Sequence, residues 1–321
     1  MTFAFNFDII HSNLKQINIG LVLSGGGARG AYQLGVMLAM EKYGLTKNVS
    51  AIAGGSIGSF SMMGFLMKDY YRAYQTFKDM NSERVLGYKR NIINKIPILG
   101  QGLFTRDNLI TYLLKNYNLG NLVNTDIPLY VSAAKETKDF IKVNYETEYF
   151  KINHLRNDEV LKILLASSAI PYVFDEVKIN NNYYVDCMKA DSEPFLPLLK
   201  ENIDCLFIVP LTNSHVTAKY KNLNIPVVDF ESLELRNSPI INMLAFEPDK
   251  VDAFLNCGYY TGINLLQALT NKKGKLKDLP PYSSLESLGI NFIPERLLTI
   301  DEIILDVKNG EIKNEKQKYI K

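Results

Sequence analysis

The sequence predicts an α/β fold: a mostly parallel central sheet with helices on both faces. Three observations carry this. The first 70 residues alternate short apolar, β-branched runs with glycine-rich turns and helical patterns, as in chained strand–helix–strand units. Two further apolar runs, 206–211 and 226–230, have the length and composition of buried parallel strands. Apolar side chains make up 47% of the 321 residues, enough for one large core.

The elements follow in order. Residues 17–23 (INIGLVL) form a first strand, followed at once by the glycines of 25–30. A helix is predicted from about 31 to 43, then a strand at 49–53 running into Gly54-Gly55-Ser56-Ile57-Gly58, then an apolar helix to about 67. Residues 71–80 are helical. Residues 81–105 are irregular, with Arg84, Lys89, Arg90 and Lys95 set among apolar residues. A helix at 106–117, strands at 127–134 and 139–145 and a helix at 157–167 come next, the last running into Ala166-Ser167-Ser168-Ala169-Ile170-Pro171. A short strand ends at Asp186, and a long helix spans 248–270. Residues 271–282 (NKKGKLKDLPPY) read as a linker, and a short amphipathic helix covers 299–308. The predicted organisation is an N-terminal arm (1–16), one α/β catalytic domain (17–270) and a C-terminal extension (271–321).

Composition narrows the function classes. A net charge of +2 is too small a bias for nucleic-acid binding. The three cysteines, Cys187, Cys205 and Cys257, are widely spaced with no CxxC pair, so neither a disulfide framework nor a metal site is expected, nor any cofactor. The N-terminus lacks the basic start and apolar run of a signal peptide, and no uninterrupted apolar stretch is long enough to span a bilayer. The expectation is a cytoplasmic protein that meets membranes only transiently and from the surface. Oligomeric state is not legible.

Gly25-x-Gly27-x-x-Gly30 lies between a strand and a helix, the context of a dinucleotide-binding fingerprint. Backbone amides in such a loop stabilise any anion, a pyrophosphate or the oxyanion of acyl transfer. A nucleotide site needs an acidic residue closing its second strand, where this chain has Ala53-Gly54-Gly55-Ser56. The oxyanion reading is therefore favoured. Gly54-x-Ser56-x-Gly58 matches a nucleophile elbow, in which the chain turns sharply from strand to helix and lifts the serine hydroxyl clear of the sheet. The bland alternative is a helix-capping serine in a glycine-rich turn. A serine nucleophile needs a base. His11 lies in the N-terminal arm and His154 follows a probable strand edge; His215, just after the 206–211 strand, is the one that could form a triad, and an exposed loop histidine is the simpler reading there.

Gly25-Gly26-Gly27-Ala28-Arg29-Gly30, Gly54-Gly55-Ser56-Ile57-Gly58, the 166–171 segment and Asp186 occur in an order that resembles the patatin-like phospholipase family over roughly residues 18–210. The resemblance implies a three-layer sandwich related to α/β-hydrolases. It also implies a Ser56–Asp186 dyad instead of a triad, and an oxyanion hole at Gly25, Gly26 and Gly27 supported by Arg29. The substrate it implies is an acyl lipid. One departure stands out. The family follows its aspartate with glycine, whereas this chain has Cys187-Met188. Either the turn is built with ordinary backbone angles and the dyad is retained, or Asp186 is displaced and the protein is a weak or silent lipid- or partner-binding relative. Residues 60–67 (FSMMGFLM) are expected in the core, and 84–104 either as an ordinary surface loop or as a lid or membrane-touching loop.

Overall fold

The structure, a computed structural model, describes residues 17–80, 87–88, 104–138, 142–212, 217–220, 222–236, 247–270, 276, 278–292 and 296–309. His11, His215 and nearly all of the expected 84–104 lid lie outside these residues.

The strands are β1 (Ile19–Leu23), β2 (Val49–Gly55), β3 (Gly87–Tyr88), β4 (Phe104–Thr105), β5 (Leu129–Lys138), β6 (Val143–Lys151), β7 (Val177–Ile179), β8 (Asn182–Val185), β9 (Cys205–Val209), β10 (Val227–Asp229) and β11 (Tyr282–Ser283). The longer helices are α1 (Gly30–Lys42), α2 (Ile57–Met67), α3 (Tyr70–Asp79), α4 (Asp107–Asn116), α5 (Asn157–Ser167), α6 (Pro248–Leu269) and α7 (Ile300–Asn309). Nine strands form one sheet in the order β11-β10-β9-β1-β2-β5-β8-β7, with β6 also paired to β5. The run from β11 to β5 is parallel. The β5–β6, β5–β8 and β7–β8 pairs are antiparallel.

Both faces of this mostly parallel sheet are covered, as the sequence predicts. Ile19, Leu21 and Leu23 of β1 point into the larger core, shared with α1, α2, α3, α5 and α6. Val22, Ala51, Ala53, Leu206 and Ile208 point to the other face, beneath the 3₁₀-helices Leu196–Lys200 and Thr217–Tyr220. Strict alternation of side chains along each strand divides the residues this way. Met62, Met63 and Phe65 of α2 are buried core. Helices α1 and α6 meet backbone to backbone: a Cβ on Gly35 would lie 2.1 Å from the Leu255 carbonyl oxygen, and one on Gly258 2.0 Å from that of Tyr32.

Two elements depart from the sequence reading. Strand β6 reaches to Lys151, six residues past the expected end, because it pairs with β5 along nine positions. The two-residue β11 begins at the last residue of the segment read as a linker and pairs in parallel with β10. Runs this short carry no readable period. Further on, α7 packs on α1 and α6: Lys42 Nζ lies 2.6 Å from Asp306 Oδ1, and the Tyr259 hydroxyl donates to Asp306 at 2.5 Å. Asn256 exchanges hydrogen bonds with the Leu298 backbone, 2.9 Å to its oxygen and 2.7 Å from its N–H. Among the described residues, no helix is long and apolar enough to cross a membrane.

The sheet places the motifs. β1 and β2 are adjacent and parallel, and β1 pairs on its other side with β9. The strand order reverses at β1, and open α/β sheets form their crevice at the carboxyl ends of strands at such a point. β5 then links the other motif to this edge. Its Ser132 pairs with Gly55 and its Ala134 with Val185, so the ends of β2 and β8 lie within two residues of each other along it.

Candidate active site

Ser56 stands between β2 and α2 with φ 49° and ψ −122°. A non-glycine residue with positive φ is strained, at a cost of about 1–3 kcal/mol. The surroundings enforce it. A Cβ on Gly54 would sit 2.7 Å from the Gly58 oxygen, and one on Gly58 2.0 Å from the Leu23 oxygen. Only glycine lets α2 start this close to β1. The Ser56 carbonyl accepts from the Ser59 N–H at 3.0 Å and the Ser59 hydroxyl at 2.6 Å. The Ser56 side chain stands at the N-terminal, electropositive end of α2.

Ser56 Oγ donates to Asp186 Oδ2 at 2.8 Å, across 130 residues of sequence. The other carboxylate oxygen accepts the Met188 N–H at 2.9 Å. Asp186 is buried, and desolvation pushes its pKa up to about 6. The Met188 N–H, the Ser56 hydroxyl, the Cys187 side chain and the charge of Arg106 all pull the other way. The carboxyl is therefore mostly ionised at neutral pH and close to its titration range, as suits a general base.

Cys187-Met188 do not displace Asp186. Asp186 has φ −52° and ψ 137°, and neither Cys187 nor Met188 is among the positive-φ residues. Met188 projects outward, half exposed. The Cys187 thiol is fully buried beside Gly25, Gly55, Ser132 and Ser167. Burial raises its pKa well above the ordinary thiol value, which keeps it protonated.

The glycine loop is held from three sides. Gly25 N–H donates to Ser192 O at 2.9 Å, Ser24 Oγ accepts the Leu211 N–H at 2.7 Å, and Arg29 Nη1 donates to Leu211 O at 2.7 Å. The Gly25 amide is engaged within the fold, and the fully buried Arg29 guanidinium braces the loop against the end of β9. The amides of Gly26 and Gly27 carry no hydrogen bond to a described residue. Gly27 has φ 58°, in the left-handed region that glycine adopts without strain.

His154 lies beside the start of β5, at the end of the sheet away from Ser56, its N–H bonded to Val123 O at 3.0 Å. Three residues to which the sequence reading gave no individual role act on the site. Ser167 Oγ accepts the Ser56 N–H at 2.7 Å, Ala169 O accepts the Asp186 N–H at 2.9 Å, and Arg106 faces Asp186. The 166–171 motif was the available signal for the first two; nothing in the sequence pointed to Arg106. A small, mostly apolar cavity of about 20 Å³, room for about one water, lies between α1, α2 and α3, with Leu34, Met37, Ile57, Phe60, Phe77 and Met80 among its lining residues.

Comparison with known proteins bears on what this arrangement serves. The family model "Patatin-like phospholipase" matches residues 21–199, more than half of the chain. The chain belongs to the patatin-like phospholipase family. That makes it an acyl-lipid hydrolase by family. It is 26% identical over 229 residues to the probable lipid hydrolase 463L of Invertebrate iridescent virus 6, covering 65% of this chain and 77% of that one. It is 24% identical over 191 residues to lysophospholipase NTE1 of Cryptococcus neoformans var. neoformans, covering 60% of this chain but 11% of that far longer protein. The solved structure of VipD from Legionella pneumophila aligns over 92% of this chain and 74% of its own at 12% identity, with a TM-score of 0.32.

Proposed function

We propose that this patatin-like protein is a serine lipid acyl hydrolase that cleaves fatty acyl ester bonds through Ser56 and Asp186. The observation that carries the reading is the 2.8 Å hydrogen bond from Ser56 Oγ to a buried carboxylate, made by a serine held at positive φ. A merely structural serine has no need of that backbone strain.

In the proposed reaction Ser56 Oγ attacks the ester carbonyl and Asp186 takes the hydroxyl proton. The Gly26 and Gly27 amides and the N-terminus of α2 stabilise the oxyanion. Asp186 then gives its proton to the leaving alcohol, leaving an acyl-Ser56 ester. Water attacks that ester, its proton passing to Asp186, and collapse of the second oxyanion releases the fatty acid and returns the proton to Ser56. Three free thiols suit a reducing cytoplasm, where the substrate would be met at a membrane surface. Residues 17–270 form the catalytic domain in this reading, and the helix 300–309 beyond it packs against that domain.

The test is intact-mass analysis after treatment with a fluorophosphonate, together with hydrolysis of a short acyl ester. Wild type should gain one adduct and turn over. Ser56→Ala should do neither, and Asp186→Asn should lose turnover while keeping the fold. A well-folded wild type with no adduct and no turnover would refute the dyad and favour a lipid-binding relative without catalysis.

A further inference from the structure

One short segment holds both members of the proposed dyad. Ser167, the last residue of α5, accepts the Ser56 N–H, and Ala169, two residues on, accepts the Asp186 N–H. Arg106, just before α4, grips that segment on both sides. Its Nη1 donates to Leu165 O and its Nη2 to Asp175 O at 3.1 Å, with the guanidinium 5.3 Å from the Phe174 ring centre. Leu165 and Asp175 bracket the two anchors in sequence.

We propose that Arg106 is a positioning residue of the dyad, fixing the 165–175 span that orients Ser56 and Asp186. The inference rests on the Ser56–Asp186 reading. The geometry is specific to arginine: two carbonyls ten residues apart are joined by a rigid fork of donors, which a lysine ammonium cannot reproduce. A surface cation would be expected to reach for water or a carboxylate, but Arg106 is largely withdrawn from solvent and turned toward backbone. Burial lowers its pKa to about 10, so it stays charged in the working range. Among the described residues, the groups that act on the Asp186 carboxyl include the Ser56 hydroxyl, the Cys187 side chain, the Met188 N–H and the charged Arg106. On its other side Arg106 faces Asp175.

The clamp and the charge separate in one experiment. Hydrolysis of p-nitrophenyl butyrate is followed from pH 5 to 9 for wild type, Arg106→Lys and Arg106→Gln, with fluorophosphonate labelling and thermal melts of each. Arg106→Gln should lower kcat roughly tenfold with KM nearly constant. It should also move the acid limb of the profile to higher pH by on the order of half a unit, because the carboxylate loses its nearby cation. Arg106→Lys should keep the wild-type acid limb while recovering only part of kcat. Should Arg106→Gln fail to fold, Arg106→Lys still decides, since a wild-type kcat there removes the clamp. An Arg106→Gln enzyme with wild-type kcat and acid limb overturns the whole inference. A wild type that neither turns over nor labels overturns the dyad reading instead.

Discussion

Replacing Cys187 with glycine restores the residue that the family carries after its aspartate, and the structure predicts loss without gain. The thiol is fully buried, packed against Gly25, Gly55, Ser132 and Ser167. Removing two buried heavy atoms forfeits about 1.5 kcal/mol at roughly 0.8 kcal/mol per buried group. The added freedom of glycine in the unfolded chain costs about 0.4–1 kcal/mol more. The sum is about 2–2.5 kcal/mol, a fall in Tm of roughly 3–4 °C for a chain of this size. Turnover should not rise, because Asp186, Cys187 and Met188 already take ordinary backbone angles and the Met188 N–H already holds the carboxylate. The assay is a thermal melt beside kcat/KM on a short acyl ester. A Cys187→Gly enzyme at least tenfold faster than wild type, or one melting no lower, would refute the argument that this turn is unstrained and well packed.

Other perturbations follow from the same geometry. The raised pKa of Asp186 means that the folded state binds its proton more tightly than the unfolded chain. Stability from this group is therefore full below about pH 4 and lost as pH rises through about 6. Asp186→Asn should thus melt higher than wild type at pH 8, by on the order of 2–3 kcal/mol, and no higher at pH 4, while its activity is abolished; equal gains at both pH values would contradict the cause given. In wild type, kcat/KM should climb through about pH 6 to a plateau, and a profile falling over that interval would exclude Asp186 as the base. Ser167→Ala leaves the buried Ser56 N–H without its acceptor, a loss of about 1–3 kcal/mol, read as slower phosphonate labelling of Ser56; unchanged labelling would remove Ser167 from the site. Gly58→Ala drives a methyl onto the backbone of central strand β1 and should destabilise by about 3 kcal/mol or more in urea unfolding, with wild-type stability the contrary result.

Much of this site is written locally. The glycines at 54 and 58 and the strands before them are legible because steric demand at one turn leaves a mark within five residues. Asp186 is different. Its partner is 130 residues away, and only the family pattern, not spacing, singles it out. Gly25 and Arg29 show the limit of a motif. Their identities are as expected, but whether an amide faces the crevice or Ser192, and whether a guanidinium faces an oxyanion or Leu211, depends on which strand lies alongside. Ser167 and Arg106 are less legible still, since each acts through a backbone atom more than fifty residues distant, and backbone atoms carry no side-chain signature.

The pairing of α7 with α1 bears on where the protein can be cut. Helix α1 springs from the glycine loop and ends at Lys42, whose buried ammonium meets Asp306. Asn256, in the helix packed along α1, is tied to Leu298. A shortened chain stopping at 270 would take from Lys42 its Asp306 partner and from Asn256 its ties to Leu298, and so loosen the helix that carries the loop at its other end. A recombinant boundary placed at the apparent linker would therefore act on the glycine loop from the far end of α1, the length of a whole helix away.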